Sequence, residues 1–383
     1  MKLGLCKSII SLTMRISWLK LISKAITPIA MQLVLNTHGT SLRRKAERFV
    51  VRIPNRASSV EIAASKIQSI VVASSIHLTS SAIELATQNN IDICFLDKSG
   101  TPFSRLWQSR MGSTVTIRRE QLIASDTSVG LAIALGWVQK KLDNQSAFLK
   151  QLATRRPNDE RIVLDAIASI EEMHSKLQSI TGILEEQRGT IMGMEGVAGR
   201  VYFECLSKLM PSEYRFSGRS RQPAADAFNA MLNYSYGVLY SLVERACILA
   251  GLDPYIGLLH TDNYNKRSLV FDMIEPFRII GERATVLFFT GRRVKAEFFR
   301  SVPGGIELTP EGRAALITNM NERLDKSVKY PTQQTTKTGG VKYRRIKLRV
   351  TIQYEAHAMA NRLLGKADMP RIVDAEELFH DET

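Results

Sequence analysis

The spacing of apolar residues changes near residue 116, and this change restricts the folds that the sequence can adopt. Upstream, short runs rich in valine and isoleucine are separated by turn residues, for example at 48–54 and 91–97. Such runs predict β-strands. Downstream, apolar residues recur at the spacing of a helix face through 128–156 and again through 160–192, which predicts long α-helices.

The predicted fold class is therefore α+β, with a small N-terminal β-rich domain followed by a larger, mostly α-helical domain. A chain of 383 residues exceeds what a single hydrophobic core usually supports. The expected limits are 1–30 for a basic extension outside the fold, 31–116 for the β-rich domain, 117–366 for the helical domain and 367–383 for an acidic tail. One short helix is expected in the β-rich part, capped by Ser80 or Ser81.

The first thirty residues contain five basic residues and no acidic one. The basic residues interrupt the apolar runs, so that none reaches the length of a membrane span, and we expect no membrane partner. A basic amphipathic helix on a membrane surface is an alternative that the sequence leaves open.

The formal net charge of +15 predicts a polyanionic partner. The alternative is a protein that is basic only for solubility, but the charges cluster: six basic residues and no acidic one occur from Lys337 to Arg349. The tract 331–340 is expected to be a polar loop, followed by a basic helix with one apolar face. Such a helix could also address a membrane surface or another protein. The residues expected to contact a phosphate backbone are Lys266, Arg267, Arg292, Arg293, Arg345, Lys347 and Arg349.

The four cysteines have no zinc-binding spacing. Cys205 and Cys247 lie in helix-like apolar runs. We interpret the cysteines as reduced, small core residues of a cytoplasmic protein.

Polar residues interrupt apolar segments of the helical part at two places. Glu195 lies close to Gly193 and Gly196, and such small neighbours allow other groups to approach its carboxylate closely. His260 ends the apolar run 255–260. Each could also be a structural residue with a local partner.

Asp272 and Glu275 lie among apolar residues that look like core, where a carboxylate is costly to bury without a partner. On a helix, a spacing of three places both on one face. With the imidazole of His260 and the carboxylate of Glu195, they make a donor set suited to Mn²⁺ or Mg²⁺. The alternative is neutralisation by basic neighbours, namely Arg200 for Glu195 and Lys266, Arg267 or Arg278 for the pair.

Three ordered segments resemble a known family: "GMEGVAGRVYF" at 193–203, "DAFNAMLNYSYGVLYSLVERACILAGLDPYIGLLH" at 226–260 and "SLVFDMIEPFR" at 268–278. They are similar to the CRISPR-associated integrase of spacer acquisition, the first-numbered family of the Cas proteins. The "KKLDNQ" segment at 140–145 also fits, and the resemblance runs from Met31 to about Gly365. It implies a β-rich domain joined to a helical catalytic domain.

The resemblance implies a metal-dependent DNA endonuclease and integrase. Such a protein joins the 3′-hydroxyl ends of a captured double-stranded DNA fragment to the repeat of a CRISPR array. The implied assembly is a homodimer that acts with a dimer of the small ferredoxin-like second-numbered Cas protein.

The resemblance also implies roles for individual residues. The metal ligands would be Glu195, His260 and Glu275, with Mn²⁺ or Mg²⁺ as the ion. Asp272 would assist at the same catalytic site. The family often has aspartate where this chain has Glu275, a longer carboxylate able to serve similarly. Two alternatives remain open at this point: a transposon-encoded integrase built on the same domain, and a DNA-binding scaffold without chemistry.

Overall fold

The computed structural model describes residues 31–97, 102–106, 114–154, 156, 159–221, 223–260, 266–335 and 341–366. They form two compact units that part between Leu106 and Thr114. The first is rich in β-structure and the second is mainly helical, which confirms the predicted α+β class.

The first unit contains two four-stranded sheets and one helix, α1 (Ser80–Gln88). One sheet has the order β1-β5-β7-β8, in which β1 and β7 pair with β5 in parallel. The other has the order β4-β3-β2-β6. The strands are β1 (Met31–Leu35), β2 (Ser41–Lys45), β3 (Arg48–Arg52), β4 (Val60–Ala63), β5 (Ile67–Val72), β6 (His77–Leu78), β7 (Asp92–Leu96) and β8 (Pro102–Leu106).

The runs at 48–54 and 91–97 are strands β3 and β7, as predicted. Helix α1 is also confirmed, but its cap is Thr79 and not Ser80 or Ser81. The Thr79 hydroxyl accepts a hydrogen bond from the Ala82 N–H at 3.3 Å and so satisfies one of the free donors of the first turn.

The second unit carries the long helices. They are α2 (Thr114–Ala124), α3 (Ser128–Ala153), α4 (Glu160–Gln178), α5 (Leu184–Leu209), α6 (Ala227–Leu249), α7 (Ser268–Met273), α8 (Arg278–Thr290), α9 (Pro310–Leu324) and α10 (Leu348–Leu363). Two antiparallel hairpins join them: β9 (Phe299–Val302) with β10 (Gly305–Leu308), and β11 (Ser327–Thr335) with β12 (Val341–Lys347). The expected domain boundary after residue 116 falls within α2.

One extensive core unites this second unit. Trp137 on α3, Phe228 on α6 and Phe289 on α8 are almost fully buried in it. In the part of the chain that is described, no single helix is long and apolar enough to cross a bilayer. Helices α2 and α3 reach that length and apolar composition only when taken together, and they are bent by 84° at the break between them.

The helical pattern over 160–192 is not one helix. It is divided between α4 and α5, which are separated by a break that contains Gly182. Helix α4 ends at Gln178 with Ser179 as its cap, and Gly182, within the break, has a φ of +105°, a backbone conformation that residues other than glycine rarely adopt.

The predicted loop over 331–335 and the predicted basic helix over 341–347 are wrong, and residues 336–340 lie outside the described residues. The first five residues of the expected loop belong to β11, and Val341–Lys347 forms the partner strand β12. Val328 pairs with Ile346 and Tyr330 with Arg344 across the hairpin. The apparent helical spacing of apolar residues spanned the junction between strand β12 and helix α10.

Candidate active site

The ammonium of Lys141 marks the centre of the site. Lys141 lies in the middle of α3, and its side chain is only 9% exposed. Its Nζ contacts Oε1 of Glu195 on α5 and lies 2.7 Å from Oε2 of Glu275. Two of the predicted ligands therefore meet at a single cation.

Glu275 is buried between two cations. Its side chain is 5% exposed, and Nη2 of Arg278 lies 2.9 Å from its Oε1. Burial raises the pKa of Glu275, but Arg278 and Lys141 lower it by more, to about 2, so the carboxylate is ionised at neutral pH. Burial lowers the pKa of Lys141, but Glu275 and Glu195 raise it above its ordinary value, so the ammonium is charged.

The chain turn at Glu275 is fixed by Pro276. Helix α7 ends at Met273 and a 3₁₀ turn follows over Glu275–Phe277. Pro276 has no N–H to continue an α-helix. Its carbonyl accepts a hydrogen bond of 2.8 Å from Nδ2 of Asn144, a buried residue one turn beyond Lys141 on α3. Helix α3 therefore holds both the turn and its carboxylate.

Asp272 is fully buried and is bound by the segment 258–260. It accepts hydrogen bonds from the backbone N–H groups of Leu258, Leu259 and His260 at 2.6, 3.0 and 2.9 Å. Its Oδ1 also lies 2.5 Å from Nδ1 of His260. An ionised carboxylate can only accept, so this hydrogen bond places a proton on Nδ1 and leaves Nε2 as the ring nitrogen that can act as a metal ligand.

The four predicted site residues thus form two groups, Glu195 with Glu275 and His260 with Asp272. The expectation that Asp272 and Glu275 share one helix is wrong, because α7 ends between them and their partners differ. Among the residues described here, no group of three or more His, Cys, Asp or Glu is placed to hold a metal ion.

The donor chemistry nevertheless suits a divalent ion. Two carboxylates already share one cation, and Oε2 of Glu275 is buried 2.7 Å from the Lys141 ammonium. His260 is 24% exposed and offers Nε2. Oxygen donors with one imidazole nitrogen are a set that Mn²⁺ and Mg²⁺ accept.

Buried polar and aromatic residues hold the side chain of Arg278 in place. The guanidinium stacks over the rings of Tyr236 and Tyr240, with its Cζ 4.7 and 5.7 Å from their centroids. Tyr236 donates a hydrogen bond of 2.7 Å to Glu282, and burial raises the pKa of that carboxyl. Arg278 is therefore held in one place by stacking and by its ion pair with Glu275.

The residues predicted to contact DNA differ in how exposed their side chains are. Arg292, Arg293 and Arg345 are exposed. Lys266 is partly buried, with its ammonium 5.8 Å from the ring centroid of Phe271. Arg267 pairs with Glu244 at 3.0 Å and is committed to that contact.

Arg349 does not face outward as predicted. Its side chain is 4% exposed, its Nε lies 2.8 Å from Asp325, and its Nη2 donates to Asn321. Lys347 shares Asp325 at 3.3 Å. Arg349 lies in the first turn of helix α10, which begins at Leu348, and its buried side chain stabilises the fold through Asp325 and Asn321.

Arg293 belongs to a wider basic surface. It lines an open cavity of ≈ 580 Å³ together with Arg156, Arg323 and Lys326, against one acidic residue, Glu322. The cavity lies where α3, α8 and α9 end. It is a concentration of positive charge at the surface of the helical unit.

Sequence reasoning missed Lys141 and Asn144 as members of the site. Both lie in the "KKLDNQ" segment, which counted only as part of a resemblance. The signal that could have found them is a lysine and an asparagine on the apolar face of a long helix, where a polar side chain needs a buried partner.

The sequence model of the family described as CRISPR associated protein Cas1 matches residues 33–322, more than half of the chain. The chain belongs to the Cas1 family. This confirms the resemblance found in the three ordered segments. A curated relative, CRISPR-associated endonuclease Cas1 1 of Archaeoglobus fulgidus, is 30% identical over 312 residues, covering 78% of this chain and 90% of the relative.

Two solved structures share the fold. A casposase bound to integration product matches with a TM-score of 0.75 and 24% identity, over 92% of this chain and 96% of that chain. A chain of a Cas6-RT-Cas1–Cas2 complex matches with a TM-score of 0.71 and 19% identity, over 91% of this chain and 36% of that chain.

Proposed function

We propose that this Cas1 protein is a divalent-metal-dependent DNA endonuclease and integrase. It inserts captured DNA fragments into a CRISPR array through attack of a 3′-hydroxyl on a phosphodiester of the repeat. The observation that carries the proposal is the meeting of Glu195 and Glu275 at one cation position, together with the ion pair of His260 with Asp272, which lies three residues before Glu275. Membership of the Cas1 family and the name of the Archaeoglobus fulgidus relative support it.

In this proposal Glu195, His260 and Glu275 hold Mn²⁺ or Mg²⁺. The bound ion supplies Lewis acidity, which lowers the pKa of a hydroxyl and neutralises charge on the phosphate. Asp272 orients His260: its bond to Nδ1 fixes the tautomer and directs Nε2 away from the carboxylate. Arg278 keeps Glu275 ionised and in place.

DNA binding is assigned to the exposed basic side chains. Arg292, Arg293 and Arg345 are the strongest candidates because they are exposed, and Lys266 is a weaker one because it is partly covered. Contacts with the phosphate backbone position DNA without reading its sequence. Arg349 is excluded from this set because it is buried and paired with Asp325.

The proposed partners are double-stranded DNA, a second copy of this chain and the small Cas2 protein. The solved structures that share the fold include a casposase with integration product and a complex that contains Cas2. The proposal implies a cytoplasmic protein, in keeping with the buried, reduced thiols of Cys94, Cys205 and Cys247.

The test is an integration assay on a supercoiled plasmid that carries a repeat, with and without the small partner and Mn²⁺. We expect Glu195→Ala and His260→Ala each to reduce strand joining by about 100-fold or more, while DNA affinity and its salt dependence stay unchanged. His174→Ala is the matched control, because His174 lies on α4 and pairs with the half-exposed Asp143.

Normal strand joining by His260→Ala would refute the site assignment. Activity that is indifferent to Mn²⁺ and EDTA would refute metal dependence, and binding without any joining would favour a scaffold. The fold likeness to the casposase supplies a further arm: a plasmid target without a repeat. Equal joining to both plasmids would favour a transposon-type integrase.

A further inference from the structure

Lys141 occupies the position at which the proposed metal ligands converge. Its ammonium contacts Glu195 and Glu275, which lie on separate elements of the fold. Within the described part of the chain, these two carboxylates are the partners that the structure gives to the ammonium. A lysine here performs the electrostatic task that a metal ion would perform, since it keeps two carboxylates close together.

The charges around Glu275 already balance. Glu195 and Glu275 face Lys141 and Arg278, two negative charges against two positive charges. A divalent ion would have to give up its hydration for a buried site whose net charge is close to zero, and it would be repelled by an ammonium at close range. The arrangement therefore opposes a second cation unless Lys141 moves or more negative charge arrives.

Of the two resident cations, Lys141 is the one suited to movement. Arg278 is stacked on Tyr236 and Tyr240 and donates to the Tyr240 hydroxyl at 3.3 Å. A lysine ammonium is a compact charge on a flexible four-carbon stem, and it can turn to another acceptor without any change in the backbone.

The site is open on the side of Glu195. This carboxylate is 28% exposed, in contrast to the buried Glu275. A Cβ added at Gly199, one turn further along α5, would lie 3.9 Å from Oε1 of Glu195, with no other atom given within 4 Å, so the helix surface beside this carboxylate is uncrowded. A phosphodiester can approach Lys141 and Glu195 from this side.

We propose that Lys141 is a built-in counter-cation that positions Glu195 and Glu275 in the metal-free protein and makes metal binding depend on DNA. When a phosphodiester enters, its negative charge accepts the Lys141 ammonium, and the two carboxylates are released to hold the divalent ion. This inference rests on the proposed function, because it takes Glu195 and Glu275 as metal ligands. Lys141 acts through those carboxylates and is therefore a positioning residue.

The test measures Mn²⁺ affinity by calorimetry on the full chain, with and without a short DNA duplex. A Glu195→Gln sample measures Mn²⁺ bound to the DNA and elsewhere on the protein. For the wild type, we expect the duplex to raise Mn²⁺ affinity by about tenfold or more, which is the size of a typical coupling between two sites. For Lys141→Met, we expect Mn²⁺ affinity without DNA to rise about tenfold and the effect of DNA to shrink.

Lys150→Met is the matched control, because Lys150 lies on the same helix in an exposed pair with Glu171 at 2.9 Å. It should bind Mn²⁺ as the wild type does. Lys141→Gln repeats the test with a polar side chain in case the methionine variant does not fold. The proposal is overturned if folded Lys141 variants bind Mn²⁺ no more tightly than the wild type.

The wild-type arm is decisive on its own if neither variant folds: Mn²⁺ affinity that does not change with DNA overturns the proposal. Failure of the proposed function looks different. In that case the wild type binds no more Mn²⁺ than Glu195→Gln, even with DNA present. If both are correct, DNA raises the Mn²⁺ affinity of the wild type, and Lys141→Met binds Mn²⁺ more tightly than the wild type when DNA is absent.

Discussion

Asp272 and Glu275 are three residues apart, yet the protein neutralises them by different means. Asp272 is surrounded by three backbone N–H groups and the ring of His260. Glu275 is held between two cations, Lys141 and Arg278. A backbone N–H can leave its acceptor only if the segment 258–260 rearranges, whereas a lysine side chain can rotate away. Asp272 is therefore suited to holding the segment 258–260 in one conformation, and Glu275 is suited to exchanging one bound cation for another.

The largest expected effect comes from removing the carboxylate that faces the cations. Glu275→Ala leaves Lys141 and Arg278 buried together without compensation, and we expect the free energy of unfolding to fall by about 3–5 kcal/mol. Urea unfolding checks this. Glu171→Ala, which removes an exposed partner of Lys150, should cost less than about 1 kcal/mol. Similar small losses in both variants would show that the cluster around Lys141 is as weak as a surface pair.

A change at Asp272 should separate geometry from charge. Asp272→Asn keeps one oxygen for the N–H groups of 258–260 but provides no negative charge to the protonated Nδ1 of His260. We expect strand joining to fall by about 10–100-fold, as for other residues that orient a metal ligand. The loss should appear in kcat and not in DNA affinity. Asp143→Asn, beside His174, is the control, and full activity of Asp272→Asn would contradict the orienting role.

The smallest effect concerns acid stability. The pKa of Glu275 is lowered from 4.5 to about 2, so its ion pairs stabilise the fold fully above the ordinary pKa and progressively less as the pH falls from 4.5 towards 2. Glu275→Gln cannot lose this contribution. Its Tm should therefore fall less steeply than that of the wild type over this pH range. Parallel curves of Tm against pH would show that Glu275 is not preferentially ionised in the fold.

Several elements could be predicted because their signals are local. The strands at 48–54 and 91–97 and the helix beginning at Ser128 follow from the spacing of neighbouring apolar residues. Two predictions failed because the outcome depended on a backbone conformation or on a strand that lies elsewhere in the chain. The break after Gln178, in which Gly182 has a positive φ, divides an apolar pattern that continues on both sides. The pairing of Ser327–Thr335 with Val341–Lys347 makes a strand of an apparent helix.

The candidate site shows the same division. Glu195, His260, Asp272 and Glu275 attracted attention as polar residues within apolar segments, and their order matched a family. The grouping of these residues was beyond sequence reasoning, because Lys141 is 54 residues from Glu195 along the chain. Nothing in a helical lysine indicates whether it faces solvent or two carboxylates. Arg349 illustrates the converse, since a basic residue in a basic segment proved to be buried.

The sequence by itself determined the division into a β-rich and a helical part, the basic charge and the identity of the polar residues. These follow from properties that are additive along the chain: apolar spacing, turn chemistry and composition. Only the tertiary structure decided that a lysine stands between Glu195 and Glu275 and that neutral N–H groups enclose Asp272. Electrostatic partners depend on distances through space, and those distances exist only once α3, α5 and the turn at Pro276 have packed together.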